Sequence, residues 1–172
     1  MPRAFTEVVL PHLDAAFNYA RWLSRNDAEA EDVVQDACVR AIRYFSSLRD
    51  DNARAWLFTI VRNTWYSRAS RRASAAEATA SDHAWDQQPA DALDPEERLL
   101  QQYTVARVRR ALEQLPVDFL EVIVLREIEG LSYKEIAAIM SVPIGTVMSR
   151  LARARERLLT VLAPAPPMER LP

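Results

Sequence analysis

The sequence predicts an all-α protein built from two small helical domains. Three observations carry that expectation. Apolar residues recur with the 3.6-residue period of amphipathic helices through most of the chain, and no strand pattern survives beside them. Helix start and stop signals stand at the ends of those periodic runs: Asp94-Pro95 with Glu97, Ser132 with Glu135, and Gly130. Between the two sets of helical patterns lies "SAAEATASDHAWDQQPADALDPEE", Ser74 to Glu97, which has small and polar residues and no sustained apolar period, and so reads as a linker.

The elements follow in order. In the first pattern Val9, Leu13, Ala16, Phe17, Ala20 and Leu23 share a face. In the second the stripe is Val33, Val34, Ala37, Cys38, Ala41, Ile42 and Phe45, and in the third Trp56, Leu57, Ile60, Val61 and Thr64. Asp94 as N-cap, Pro95 at the first helical position and Glu97 as the third member of an Asp-x-x-Glu box open a helix over 95–114. Pro116 opens the next, "VDFLEVIVLREIE", which stops at Gly130. Ser132 and Glu135 form a second capping box with Leu131 and Ile136 as its hydrophobic staple, and this short helix ends near Met140. Pro143 starts the last helix, to about Leu162, which "PAPPMERLP" cannot continue. The expected boundaries are 1–73 for the first domain, 74–94 for the acidic linker, 95–163 for the second domain and 164–172 for a Pro-rich tail.

Composition narrows the function. Hydrophobic residues make up 49% of the 172, enough for packed cores, and no apolar run reaches the ~20 residues that a membrane span needs. With no signal-peptide pattern at the N-terminus, a cytoplasmic protein with no membrane insertion is expected. One cysteine and two distant histidines, His12 and His83, speak against a metal site, and two glycines leave no glycine-rich phosphate loop. Neither an enzyme nor a cofactor is expected. Cys38 lies inside its apolar stripe and reads as a small core residue. The net charge of −2 hides two blocks, 1–75 and 99–172, each at +2, flanking a connector 76–98 at −6. About 20 linker residues at ~3.3 Å each reach ~65 Å.

The segment "GLSYKEIAAIMSVPIGTVMSRLARARERL" joins a short capped helix to an arginine-rich one through a turn of about three residues, a helix-turn-helix pattern. Val147, Leu151, Ala154 and Leu158 share the inward face, leaving Thr146, Ser149, Arg150, Arg153 and Arg157 beside or opposite it. A helix in the major groove needs short polar groups near its N-terminus and arginines along the same side. The alternative is an ordinary amphipathic helix with solvated arginines. On the third helix, Arg62, Asn63, Trp65 and Tyr66 fall mostly outside the stripe, an arrangement suited to unpaired bases, which stack on rings at about 1–3 kcal/mol each; the alternative has Trp65 packed under a neighbouring loop. On the second, Asp32, Gln35 and Asp36 cluster at i, i+3, i+4 beside the stripe. They suit a partner helix, or else form a solvated face with Asp36 and Arg40 as a surface pair.

Three segments in order resemble the extracytoplasmic-function sigma factors of bacteria, a branch of the sigma-70 family, over roughly residues 5–162. "AEAEDVVQDACVRAIRYF" is similar to the core-polymerase-binding helix, "ARAWLFTIVRNTWYSRASRR" to the segment that melts and reads the minus-ten element, and the helix-turn-helix to the reader of the minus-35 element. The resemblance implies a sigma-2-like and a sigma-4-like domain and a polymerase contact through Asp32, Gln35, Asp36 and Arg40. It implies capture of single-stranded minus-ten DNA by Arg62, Asn63, Trp65 and Tyr66, phosphate contacts from Arg68, Arg71 and Arg72, and a duplex minus-35 contact through Thr146, Ser149, Arg150, Arg153 and Arg157. It further implies a stress or envelope-type response and, with no long C-terminal extension for a fused sensor, control by a separate anti-sigma factor, by transcription of its own gene or by proteolysis. Ser141 departs from the family's frequent turn glycine, and Met148 stands where arginine is common. Two other classes remain open: a free-standing helix-turn-helix regulator acting without polymerase, and a helical adaptor with no DNA role.

Overall fold

The computed structural model describes residues 4–49, 52–75 and 94–163. Most of the expected linker, 76–93, and the expected tail, 164–172, lie outside the described residues. Among those described, every regular element is helical: α1 (Phe5–Val8), α2 (Leu13–Ser24), α3 (Asp27–Tyr44), α4 (Ala53–Ala75), α5 (Pro95–Glu113), α6 (Val117–Ile123), α7 (Tyr133–Met140) and α8 (Ile144–Leu162), with short 3-10 turns at Leu10–His12 and Phe45–Ser47. Helix α4 runs to Ala75, two residues past the expected end of the first domain.

In the first block α2, α3 and α4 pack against one another. Helix α2 stops where Arg25 takes a left-handed conformation (φ 55°), and Asn26 then caps α3, its side chain accepting from the Glu29 N–H at 3.0 Å. Alanines at 16, 20, 30, 37 and 41 line the buried faces and let the helices approach closely. The apolar stripes differ from expectation at their edges. Ile42, expected inside, is 62% exposed, whereas Tyr19 and Phe58, left outside the stripes, are fully buried and stacked with ring centroids 5.3 Å apart. The reason is tertiary: α2 also packs on α6, which covers a second face of that helix.

In the second block Pro95 occupies the first turn of α5, but the expected Asp94–Glu97 box does not form. The Asp94 side chain accepts no backbone N–H; only its carbonyl does, from Arg98 at 2.8 Å. That turn is exposed from Asp94 to Leu100, so water serves its open amides. Helix α6 continues into a π-helical turn over Val124–Ile128 and ends at Gly130, whose φ of 67° is the left-handed geometry expected of it. The second capping box forms as expected: Ser132 Oγ accepts from the Glu135 N–H, and a Glu135 carboxylate oxygen accepts from the Ser132 N–H. Bonding to the Ser132 backbone holds the Glu135 carboxyl below its ordinary pKa.

The two blocks are packed together. Helix α2 lies on α6 and the π turn, α4 lies on α7, and the buried side chains of both blocks join in one apolar cluster. Cys38 is half-buried in α3, and burial pushes its thiol pKa up. No single helix among the described residues is long and apolar enough to cross a membrane.

Candidate nucleic-acid interface

Helices α7 and α8 meet at 101°, within the range of DNA-binding helix-turn-helix pairs. Ser141 makes the corner in the left-handed region, φ 54° and ψ 46°, where glycine is the unstrained residue. Val147, Leu151 and Ala154 are buried and Leu158 is half-buried, which fixes the rotation of α8. Ser149, Arg153 and Arg157 are exposed; Thr146 and Arg150 are partly covered. The Ser149 hydroxyl donates to the Thr146 carbonyl at 3.1 Å. Arg150 reaches back to Asp118 on α6 at 3.2 Å, and the Arg157 guanidinium lies 4.8 Å from the centroid of the Phe119 ring. The five expected residues thus lie along one flank of α8 beside its buried edge, and two of them, Arg150 and Arg157, contact α6.

On α4 the expected minus-ten set is divided. Asn63 is exposed. Trp65 is half-buried against the core and meets the half-buried Tyr66 edge-on, centroids 4.7 Å apart. Arg62 stacks over the Tyr66 ring at 4.4 Å. Arg68 bonds Asp36 at 2.6 Å and Asp32 at 3.2 Å, and Arg72 bonds Glu29 at 2.6 Å, so these arginines knit α4 to α3; Arg71 is exposed. Asp36 therefore pairs with Arg68 instead of Arg40. Asp32, Gln35 and Asp36 remain exposed on α3, with Arg40 partly covered beside them.

The strongest polar cluster was not anticipated. Glu121, on α6, is fully buried, and both its carboxylate oxygens are taken by donors from the first block. Its Oε1 accepts from the Tyr19 hydroxyl at 2.8 Å and from Arg62 Nε at 2.8 Å. Its Oε2 accepts from the Tyr66 hydroxyl at 3.0 Å and from Arg62 Nη2 at 3.2 Å. Burial and the carboxylate beside it push the Tyr66 pKa up to about 12 and that of Tyr19 well above its ordinary value, so both phenols stay protonated donors. Burial works against the Arg62 charge, yet the bonds to Glu121 carry its pKa above the ordinary value. Around this cluster Arg54 pairs with Glu129, Asn52 donates to Glu135, and Arg25 donates to the Leu115 carbonyl at 3.4 Å. One signal in the sequence marks Glu121. Val117, Leu120, Val124 and Leu125 lie at i, i+3, i+7 and i+8, and Glu121 occupies the i+4 place of that apolar stripe.

A groove of about 650 Å³ opens where the blocks meet, walled by Trp22 of α2, Val105, Val108 and Leu112 of α5, and Leu158 and Leu159 of α8. Among the described residues no group of three His, Cys, Asp or Glu side chains is placed to hold a metal ion.

Comparison with known proteins finds relatives for both helical blocks. The family model for sigma-70 region 2 matches residues 8–75, and that for sigma-70 region 4 matches residues 106–158. The chain is 36% identical over 169 residues to the RNA polymerase sigma-H factor of Pseudomonas aeruginosa, covering 94% of this chain and 88% of that one. It is 40% identical over 138 residues to the ECF RNA polymerase sigma-E factor of Escherichia coli, covering 76% and 72%. Among solved structures it is similar to the sigma factor RpoE of Bartonella quintana in complex with the anti-sigma factor NepR, with a TM-score of 0.72, 32% identity and coverage of 92% and 96%. CnrH in complex with the cytosolic domain of CnrY aligns with a TM-score of 0.64, 30% identity and coverage of 94% and 89%. Two packed helical blocks, a capped helix-turn-helix with an outward arginine face, and relatives of this identity and coverage place the chain in one family: it belongs to the extracytoplasmic-function sigma factors of the sigma-70 family.

Proposed function

We propose that this sigma factor, which directs RNA polymerase to a subset of promoters, divides the task between its two helical blocks. The first, within residues 1–73, holds core polymerase through Asp32, Gln35, Asp36 and Arg40 of α3. It captures single-stranded minus-ten DNA through Arg62, Asn63, Trp65 and Tyr66 of α4, with Arg68, Arg71 and Arg72 toward phosphate. The second, within 95–163, reads duplex minus-35 DNA through Thr146, Ser149, Arg150, Arg153 and Arg157, while 74–94 connects the two.

The observation that carries this reading is the pose of α8. A buried Val147–Leu151–Ala154 edge, set at 101° to α7, leaves Ser149, Arg153 and Arg157 exposed along one flank, with Thr146 and Arg150 partly covered beside them. That is the arrangement in which residues near a helix N-terminus meet base edges and later arginines meet phosphates. A separate anti-sigma factor is the expected controlling partner, and the apolar groove between Trp22 and Val108 is the surface that such a partner would cover.

The experiment is run-off transcription by core polymerase with and without the chain. Promoter-specific transcripts that require the chain are expected. Operator binding with no effect on polymerase favours a free-standing regulator, and no DNA dependence at all favours an adaptor.

A further inference from the structure

The buried edge of α8, Val147, Leu151 and Ala154, fixes which residues point most directly away from the second block. At about 100° per residue, the arc opposite that edge carries Gly145, Met148, Ser149, Ala152 and Arg153, and all five are exposed. Gly145 and Ala152, the smallest of them, occupy the middle of the arc, and a Cβ added at Gly145 would meet nothing within 4 Å. The middle of the arc is therefore low, and the helix axis can come close to the floor of a major groove. Met148 then stands on one margin of the arc, with Ser149 and Arg153 on the other. Met148 also lies in the first two turns of α8, the part of a recognition helix that enters the groove deepest.

The chemistry of that margin is apolar. Met148 is 52% exposed, and Ile144, one turn before it on the same side, is 45% exposed, so the start of α8 presents an apolar patch beside polar and arginine side chains. The methionine thioether has no hydrogen to donate and is a weak acceptor. It therefore bonds neither the O6 and N7 acceptors of guanine nor a phosphate oxygen. The major groove offers an apolar side chain one distinctive feature, the C5-methyl group of thymine. An unbranched, polarisable side chain with three rotatable bonds settles readily against such a group. The patch is continuous with Ser149 and Arg153 on the face proposed above to meet duplex DNA, and that continuity makes a base edge its occupant.

We infer that Met148 is a specificity-determining residue of the minus-35 reader: it selects thymine at one base pair by covering the thymine C5-methyl group. The inference rests on the minus-35 role proposed above for α8. The test uses holoenzyme assembled from core polymerase and the full chain, with duplex templates randomised in the minus-35 and minus-ten elements; bound templates are recovered and sequenced. In the best-bound sequence, deoxyuridine then replaces each minus-35 thymine of either strand in turn, which removes the methyl group and nothing else. For the unsubstituted chain, one such replacement is expected to weaken binding about fourfold, the size of one buried methyl group. Met148→Ala is expected to lose the thymine preference at that pair and to bind the thymine and deoxyuridine templates equally, with preferences elsewhere kept. Met148→Leu, still apolar, is expected to keep most of the thymine preference. Position 148 is exposed, so both variants are expected to keep the helical signal of the unsubstituted chain. Binding indifferent to deoxyuridine at every position overturns the inference. A deoxyuridine penalty as large in Met148→Ala as in the unsubstituted chain also overturns it, because another side chain then reads the methyl. Failure of folded Met148→Ala to assemble with core polymerase makes the patch a protein contact and overturns it as well. Bound templates that share no minus-35 sequence at all overturn the minus-35 assignment itself, a failure distinct from the other three.

Discussion

Ser141 is the residue on which the helix-turn-helix turns, and it does so in left-handed backbone that disfavours a Cβ by roughly 1–2 kcal/mol. Glycine relieves that strain but gives back unfolded-state entropy, so Ser141→Gly is expected to raise stability by about 0.5–1 kcal/mol, read as a higher Tm with unaltered promoter preference. A second residue-scale expectation concerns the phenols around Glu121. Burial and the Glu121 carboxylate push the Tyr66 pKa up to about 12 in the folded chain and that of Tyr19 well above its ordinary value, and both fall near 10 when unfolded. Because the folded values lie above the unfolded ones, the proton is held more tightly by the native state. The stability this contributes is whole below about pH 10 and is lost as pH climbs from there through about 12. Thermal denaturation between those limits should show the loss, and Tyr66→Phe, which has no phenol to ionise, should show less of it.

At the scale of elements, α3 and α4 share their charges. Asp32 and Asp36 both bond Arg68, so the α3 face proposed for polymerase and an arginine proposed for promoter DNA are braced by the same ion pairs. These are exposed pairs worth only about 0.2–1 kcal/mol each. Replacing Asp32 and Asp36 together with Ala is therefore expected to leave the helical signal intact and to weaken capture of core polymerase in a pull-down; unchanged capture would show that this face is merely solvated. The elements themselves were largely legible in the sequence, because what delimits them is local. The Ser132–Glu135 box, the left-handed stop at Gly130 and the inward row of α8 each depend on residues within a turn or two of one another. Asp94 failed as a cap because an exposed helix start has water as an alternative partner. Tyr19, Phe58 and Glu121 were missed for another reason: what buries them lies in the other block or on a neighbouring helix. Tyr19 and Glu121 are 102 positions apart in sequence, and no periodicity within one helix reports a contact of that kind. Trp65 illustrates the middle case. Its spacing left it between ring stacking and core packing, and the fold half-buries it beside Tyr66, where either role draws on the same ring.

At the scale of the whole molecule, the proposed division gives each helical block its own promoter element. Arg150 on α8 and Asn63 on α4 are the residues through which that division is most sharply exposed. A base-reading side chain costs ~1–3 kcal/mol when removed and relaxes preference at its own position, whereas a phosphate contact weakens every sequence alike. The direct measurement is transcription by core polymerase from a template library randomised in both the minus-35 and minus-ten elements, with the transcripts sequenced for the unsubstituted chain, Arg150→Ala and Asn63→Ala. The account predicts that Arg150→Ala relaxes preference only in the minus-35 element and Asn63→Ala only in the minus-ten element. Transcripts whose base preferences in both elements are the same for all three chains would contradict it.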